Sequence, residues 1–259
     1  MTTVEKHEPG TFCWVELATR DLDAGREFYS SIFGWQSDAR PVEGWGEYAT
    51  FTVADGRSAA GGYAQQDGER SMGVPPHWNL YVSTDDVDSD VAKATELGGQ
   101  ATIPGMDTPL GRMAVIADPT GARFCLWQSE QMPGFAVRGE HGAFTWADLI
   151  TPDKDKAQEF YGGLFGWTGE EQGEEFGYYT VVKKGDEQIG GFMNPMQPGM
   201  PANWMPYFAV TGAEAVTNAA TGAGAQVKMP PTPIPTVGTF AVMADPQGAV
   251  FAILQAEPQ

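Results

Sequence analysis

FCWVELATRDLDAGREFYSSIFGW, Phe12 to Trp35, is written again 132 positions later as FTWADLITPDKDKAQEFYGGLFGW, Phe144 to Trp167. Identical in register are Phe12/Phe144, Trp14/Trp146, Leu17/Leu149, Asp21/Asp153, Glu27/Glu159, Phe28-Tyr29/Phe160-Tyr161 and Phe33-Gly34-Trp35/Phe165-Gly166-Trp167. Farther along, Gly61-Gly62 answers Gly190-Gly191, Trp78 answers Trp204 and Tyr81 answers Tyr207. The halves close on ADPTGARFCLWQ (Ala117 to Gln128) and ADPQGAVFAILQ (Ala244 to Gln255). A fixed order of matches with slowly drifting offset is the signature of duplication. The expected domains are 8–130 and 140–257, joined by a connector, Ser129 to Gly142, that contains Pro133 and several glycines.

Each half reads as strand, helix, strands, and then the same again. Phe12–Leu17 alternates as a strand, and Asp21 opens a helix with Phe28, Tyr29, Ile32 and Phe33 on one face. In the second half Thr151-Pro152 predicts an N-cap followed by proline at the first helical position. Gly34 and Gly166 sit where a helix ends in a left-handed residue. Strands are expected over Glu47–Val53, Ala59–Ala64, Tyr178–Lys183 and Gln188–Met193. His77–Val82 begins another strand–helix pair, with a helix over Asp85–Leu97 stopped by Gly98-Gly99. Strands Gly111–Ala117 and Arg123–Gln128 flank the turn Asp118-Pro119-Thr120-Gly121.

Composition narrows the function. The chain has 259 residues, 15 basic against 34 acidic, for a net charge of −19. Such a surface opposes nucleic acid, which needs clustered cations to displace counterions, and opposes an anionic membrane. No apolar run nears the ~18 residues of a membrane span. The N-terminus MTTVEKHEPG lacks the apolar core of a secretory signal, so a cytoplasmic location is expected. Cys13 and Cys125 are too few for a disulfide framework or an all-cysteine zinc site. Neither a GxxxxGK[ST] phosphate loop nor a GxSxG nucleophile elbow is present. Charge and length leave monomer and homodimer both open.

The order FY..xFGW and then ADPxG, given twice, resembles the vicinal-oxygen-chelate superfamily, which contains glyoxalases, bleomycin-resistance proteins and extradiol dioxygenases. The resemblance implies an α+β fold: a duplicated glyoxalase-like domain of four βαβββ modules forming two cup-shaped open half-barrels. It leaves function open, because the same scaffold serves lyases, dioxygenases and metal-free binding proteins.

In metal-dependent members, ligands lie on the first and last strands of the modules and point into the cup. Transferred onto this chain, those positions are Trp14, His77 and Cys125 in the first half, and Trp146, Asn203 and Ala252 in the second. The remaining ligand strands run near Tyr63 and Phe192 and carry no good donor. An indole and a methyl group cannot coordinate a divalent ion, which normally needs three N, O or S ligands. The expected cofactor is therefore none, and no metal ligand is assigned.

Side chains alternate along a strand, so Glu16 shares a face with Trp14, and Asp148 with Trp146. For each carboxylate two readings stand: a structural hydrogen-bonding group, or a general acid/base or ligand anchor. His77 is open to the same pair of readings. Glu16, His77 and Asp148 are the candidate catalytic residues. Candidate ligand-binding residues are Trp14, Tyr63, Trp78, Cys125, Trp146, Phe192, Asn203 and Trp204. Trp35 and Trp167, which close helices, are expected in cores, and Trp45 completes the tryptophan set with Trp127. Met193–Pro206, rich in Met and Pro, reads either as a lid over a hydrophobic ligand or as a disordered loop.

The resulting expectation is a metal-free protein that binds, or transforms by acid–base chemistry, a hydrophobic aromatic small molecule such as an antibiotic or aromatic metabolite. Antibiotic resistance and secondary metabolism are the settings this implies, and the acidity favours a cationic ligand. The alternative is a divalent-metal-dependent lyase, isomerase or dioxygenase using His77, Glu16 and Cys125.

Overall fold

A computed structural model describes residues 6–42, 46–173 and 178–257; Trp45 lies outside them. Four modules of one pattern follow one another. The first is β1 (Phe12–Thr19), α1 (Leu22–Phe33), β2 (Gln36–Val42), β3 (Gly46–Thr52) and β4 (Ser58–Ala64), followed by the short helix α2 (Asp67–Ser71). The second is β5 (His77–Ser83), α3 (Val87–Glu96), β6 (Gln100–Thr108), β7 (Gly111–Ala117) and β8 (Arg123–Ser129). The third is β9 (Phe144–Ile150), α4 (Lys154–Phe165), β10 (Thr168–Glu171), β11 (Thr180–Lys184) and β12 (Glu187–Met193). The fourth is β13 (Asn203–Ala209), α5 (Ala213–Gly222), β14 (Gln226–Ile234), β15 (Gly238–Ala244) and β16 (Val250–Ala256).

The strands form two eight-stranded mixed sheets, one per sequence half, in the orders β2-β3-β4-β1-β5-β8-β7-β6 and β10-β11-β12-β9-β13-β16-β15-β14. Within a module the last strand runs parallel to the first, as β4 does to β1 and β12 to β9, while the others are antiparallel. This is the α+β, duplicated, two-half-barrel architecture that the resemblance implies.

Local chemistry sets the helix ends. Asp21 caps α1 by accepting from Ala24 N at 3.0 Å, and the chain leaves the helix at Gly34 with φ +69. In α4 the cap is Asp153, accepting from Lys156 N at 3.1 Å, rather than the expected Thr151-Pro152. Thr151 stands two residues earlier, its hydroxyl accepting from Asp153 N, so the Pro152 ring precedes the helix.

Contacts group the modules differently from the sheets. One compact unit comprises Asn79–Gly134, Trp146–Met205 and the N-terminal segment to Trp14; the other comprises Val15–Trp78, Phe135–Thr145 and Pro206–Gln259. Each unit thus takes one module from each sequence half: second with third, and first with fourth.

The cores of the two units are near twins. Around Tyr161 stand Trp167, stacked at 5.2 Å, with Trp204, Phe124, Phe165 and Phe192. Around Tyr29 stand Trp35, stacked at 5.8 Å, with Trp78, Phe33, Phe28 and Phe251. Trp35 and Trp167 are buried as expected, and their indole N–H groups donate to Gly142 O and Gly10 O at 2.8 and 2.7 Å. Each fully buried aromatic contributes about 1.5–3 kcal/mol in transfer free energy.

The connector is part of the structure. Phe135 is fully buried and stacks on Phe144 at 5.0 Å, and Ala136 N donates to Ser58 O at 2.9 Å. Among the described residues no helix is long and apolar enough to cross a membrane.

Candidate functional site

Strand β9 supplies the best-formed site. Trp146 and Asp148 lie on one face by alternation, and β12 runs alongside with Gly191 opposite Asp148. Across Gly191, Tyr179 reaches in from the residue preceding β11. An added Cβ at Gly191 would lie 1.8 Å from the Tyr179 hydroxyl, so only glycine leaves room for the phenol.

The three side chains close a tight cluster. Trp146 Nε1 donates to both Asp148 Oδ1, at 3.0 Å, and the Tyr179 hydroxyl oxygen, at 2.8 Å. The Tyr179 hydroxyl in turn donates to Asp148 Oδ1 at 2.5 Å. Asp148 is buried, while Trp146 and Tyr179 are half-buried. Burial, with the Asp148 charge second, raises the Tyr179 phenol far above its ordinary value of 10.0, so it acts as a neutral donor. The arrangement fixes an indole in position and holds a carboxylate beside it.

Tyr179 escaped the sequence reading, although a signal existed. Val181 pairs with Gly191, and Thr50 pairs with Gly61, the residue opposite Glu16. Two residues before each stands a tyrosine: Tyr179, and its counterpart Tyr48 on β3.

The other candidates separate. In the unit that holds Asp148, Trp204 and Phe192 face the helix-side core, where Trp204 Nε1 donates to the Tyr161 hydroxyl at 2.8 Å and the two rings lie 6.2 Å apart. Asn203, next to Trp204, takes the opposite face and is half-buried. Trp14 and Cys125 are 2% and 1% exposed, and Cys125 pairs in register with Tyr81 and Val115.

In the other unit, Trp78 is likewise a core residue, donating to the Tyr29 hydroxyl at 3.0 Å. Trp78, Trp204 and Phe192 are thus all buried among core rings. Alternation sends His77 and Asn203 to one face and their tryptophan neighbours to the other. Glu16 is 9% exposed, opposite Gly61, and Tyr63, on the Gly61 face of β4, donates its hydroxyl to Glu69 at 3.0 Å. His77 is half-buried at the start of β5, with Nδ1 2.9 Å from Pro75 O. A carbonyl only accepts, so Nδ1 carries the proton.

Both ADPxG turns prove structural. Asp118 Oδ1 accepts from Thr120 N and Ala122 N, and Asp245 Oδ1 from Gln247, Gly248 and Ala249 N. Their second oxygens accept the hydroxyls of Tyr161 and Tyr29 at 3.0 and 3.1 Å.

The sequence profile of the glyoxalase/bleomycin resistance protein/dioxygenase superfamily matches residues 11–126 and again 143–253. The chain belongs to this superfamily. It is 41% identical over 256 residues to CFP32 of Mycobacterium tuberculosis, a glyoxylase by name, covering 98% of each chain. It is 31% identical to the anthracycline biosynthesis protein DnrV of Streptomyces peucetius, covering 95% of this chain and 94% of that one. Among solved structures, the 2,3-dioxygenase LapB of Pseudomonas sp. KL28 superimposes with a TM-score of 0.64 at 16% identity, covering 96% of this chain and 92% of that one.

The superfamily includes metal-dependent enzymes, and the donor set here does not fit one. The ligand positions on β9 and β16 hold Trp146 and the fully buried Ala252. Among the described residues no group of three His, Cys, Asp or Glu side chains could hold a metal ion. Trp146 Nε1 is moreover committed as a donor, and an indole N–H offers no lone pair in the ring plane.

Proposed function

We propose that this protein binds a hydrophobic aromatic small molecule, an antibiotic or aromatic metabolite, without a metal ion. The observation that carries the reading is Trp146: an indole stands at the metal-ligand position of the opening strand and is held there by Asp148 and Tyr179. A flat apolar wall with convergent polar groups at its edge is the usual makeup of a small-molecule site. The likeness to a protein of anthracycline biosynthesis over almost the whole chain supports a polycyclic aromatic ligand. Glu16, His77 and Asp148 are the groups available for proton transfer to or from it.

The test is a calorimetric titration with a planar polycyclic aromatic panel that includes an anthracycline, on the native protein and on Trp146→Ala. Saturable binding weakened at least tenfold by the substitution is the expected result. A protein that binds no member of the panel, or that carries one tightly held divalent ion per chain as isolated, overturns the reading in favour of metal-dependent lyase, isomerase or dioxygenase chemistry.

A further inference from the structure

Trp35, Trp78, Trp127, Trp167 and Trp204 each pack against another aromatic ring. Among the described residues Trp146 enters no such ring pair, although its edge is tied to two acceptors. Its N–H is shared between a carboxylate oxygen at 3.0 Å and a phenol oxygen at 2.8 Å. Asp148 is 4% exposed, so water screens its charge poorly.

A hydrogen bond donated to an anion polarises the donor, and linked bonds reinforce one another. For an indole the electron density pushed back from the N–H enters the ring and deepens the negative potential over its face. An electron-rich aromatic gains little on such a face, whereas a ring depleted of electrons by conjugated carbonyls gains most.

We infer that Trp146 is a stacking plate for an electron-poor planar ring of the quinone class, with Asp148 and Tyr179 as positioning residues that set its preference. The inference rests on the aromatic-ligand reading above and adds the electronic class of the ligand. Gly191 belongs to the device, because it alone admits the phenol that supplies the second acceptor.

Two ligands of equal charge and nearly equal size decide the matter: 2-aminomethyl-9,10-anthraquinone and 2-aminomethylanthracene, titrated calorimetrically into the full chain. The quinone is expected to bind about three- to tenfold more tightly, the scale that one aromatic pair contributes. An absorption shoulder to the red of the free quinone's band is expected on binding, from charge transfer out of the indole. Trp146→Phe abolishes the shoulder and brings the affinity ratio near one. Tyr179→Phe and Asp148→Asn each lower the ratio of quinone to anthracene affinity and weaken the shoulder.

Equal affinity for the two ligands overturns the inference, as does a quinone preference that survives Trp146→Phe. Binding of neither overturns the aromatic-ligand reading and this inference with it. Should Trp146→Phe fail to fold, as seen in a lost melting transition, Asp148→Asn decides, since it keeps the shape and removes the charge; an unchanged ratio and shoulder in that variant overturn the inference.

Discussion

The Tyr29 hydroxyl donates to Asp245 Oδ2 at 3.1 Å across 216 residues of chain. Tyr29 comes from the FY motif of the first module and Asp245 from the ADPxG turn of the fourth, so the two motifs that mark each half are partners between halves. The phenol also accepts from Trp78 Nε1, which makes one oxygen the joint of a buried indole–phenol–carboxylate chain. Tyr161, Asp118 and Trp204 repeat the arrangement in the other unit. Duplication thus preserved a linkage that neither half satisfies internally.

Removing that joint is expected to be costly. Tyr29→Phe leaves the Trp78 N–H without its acceptor and withdraws a donor from a buried carboxylate. The expected loss is about 1–3 kcal/mol of unfolding free energy, in the range for orphaned buried polar groups. Tyr161→Phe should cost a similar amount. Urea unfolding checks both, and a cycle with Asp245→Asn should show coupling above about 0.5 kcal/mol because the side chains are in direct contact.

The same burial makes a prediction at high pH. Burial, then the charge of the neighbouring aspartate, raises Tyr29 and Tyr161 well above 10.0, and Tyr179 is raised for the same reasons. Above pH 10 the unfolded chain therefore releases protons that the folded chain keeps. Stability contributed by these tyrosines is intact below pH 10 and falls as pH rises toward their folded values. Of the 8 tyrosines, these three should ionise only in step with unfolding, followed by tyrosinate absorbance near 295 nm against circular dichroism. Ionisation of all eight before any unfolding would contradict the buried assignments.

How much of this was legible in the sequence depends on the residue. The repeat exposed the module order because whole motifs recur in register. The strands it missed, such as Gln36–Val42 and Gln100–Thr108, are largely exposed and carry Pro41 and Pro104, the makeup of edge strands whose apolar alternation is weak. Trp78 and Trp204 follow His77 and Asn203 directly, and strand alternation turns each indole to the opposite face, where it donates to a buried tyrosine hydroxyl. Tyr179 falls inside the expected strand Tyr178–Lys183, but apolar patterning alone does not mark a phenol as the partner of Asp148. The pairing of Tyr29 with Asp245 was beyond reach, since a motif read within one half says nothing about which half completes it.

Gly191 offers a steric test. A methyl group there would fall 1.8 Å from the Tyr179 hydroxyl and 2.0 Å from its Cζ, so Gly191→Ala must expel the phenol. The strand itself can take alanine, and overpacking of this kind costs about 1–3 kcal/mol. Ligand affinity should fall at least as far as in Tyr179→Phe, because the displaced ring also leaves Trp146 Nε1 with one acceptor. A variant that melts as the native protein does and binds ligand with native affinity would show that Tyr179 takes no part in the site.

Metal addition and removal bear on the donor set directly. Anything that binds the folded state alone stabilises it by mass action, about 2.7 kcal/mol at a free concentration one hundred times the dissociation constant. With indole and methyl groups at the ligand positions on β9 and β16, zinc, manganese, nickel and ferrous ions at micromolar concentration are expected to leave the melting temperature unchanged. A saturating aromatic ligand should raise it by several degrees, equally before and after dialysis against a chelator. His77→Ala should leave the response to metals unchanged as well, since one imidazole does not make a divalent-ion site. A melting temperature that rises with one of these ions, and loses that rise in His77→Ala, would instead place a metal centre at the start of β5.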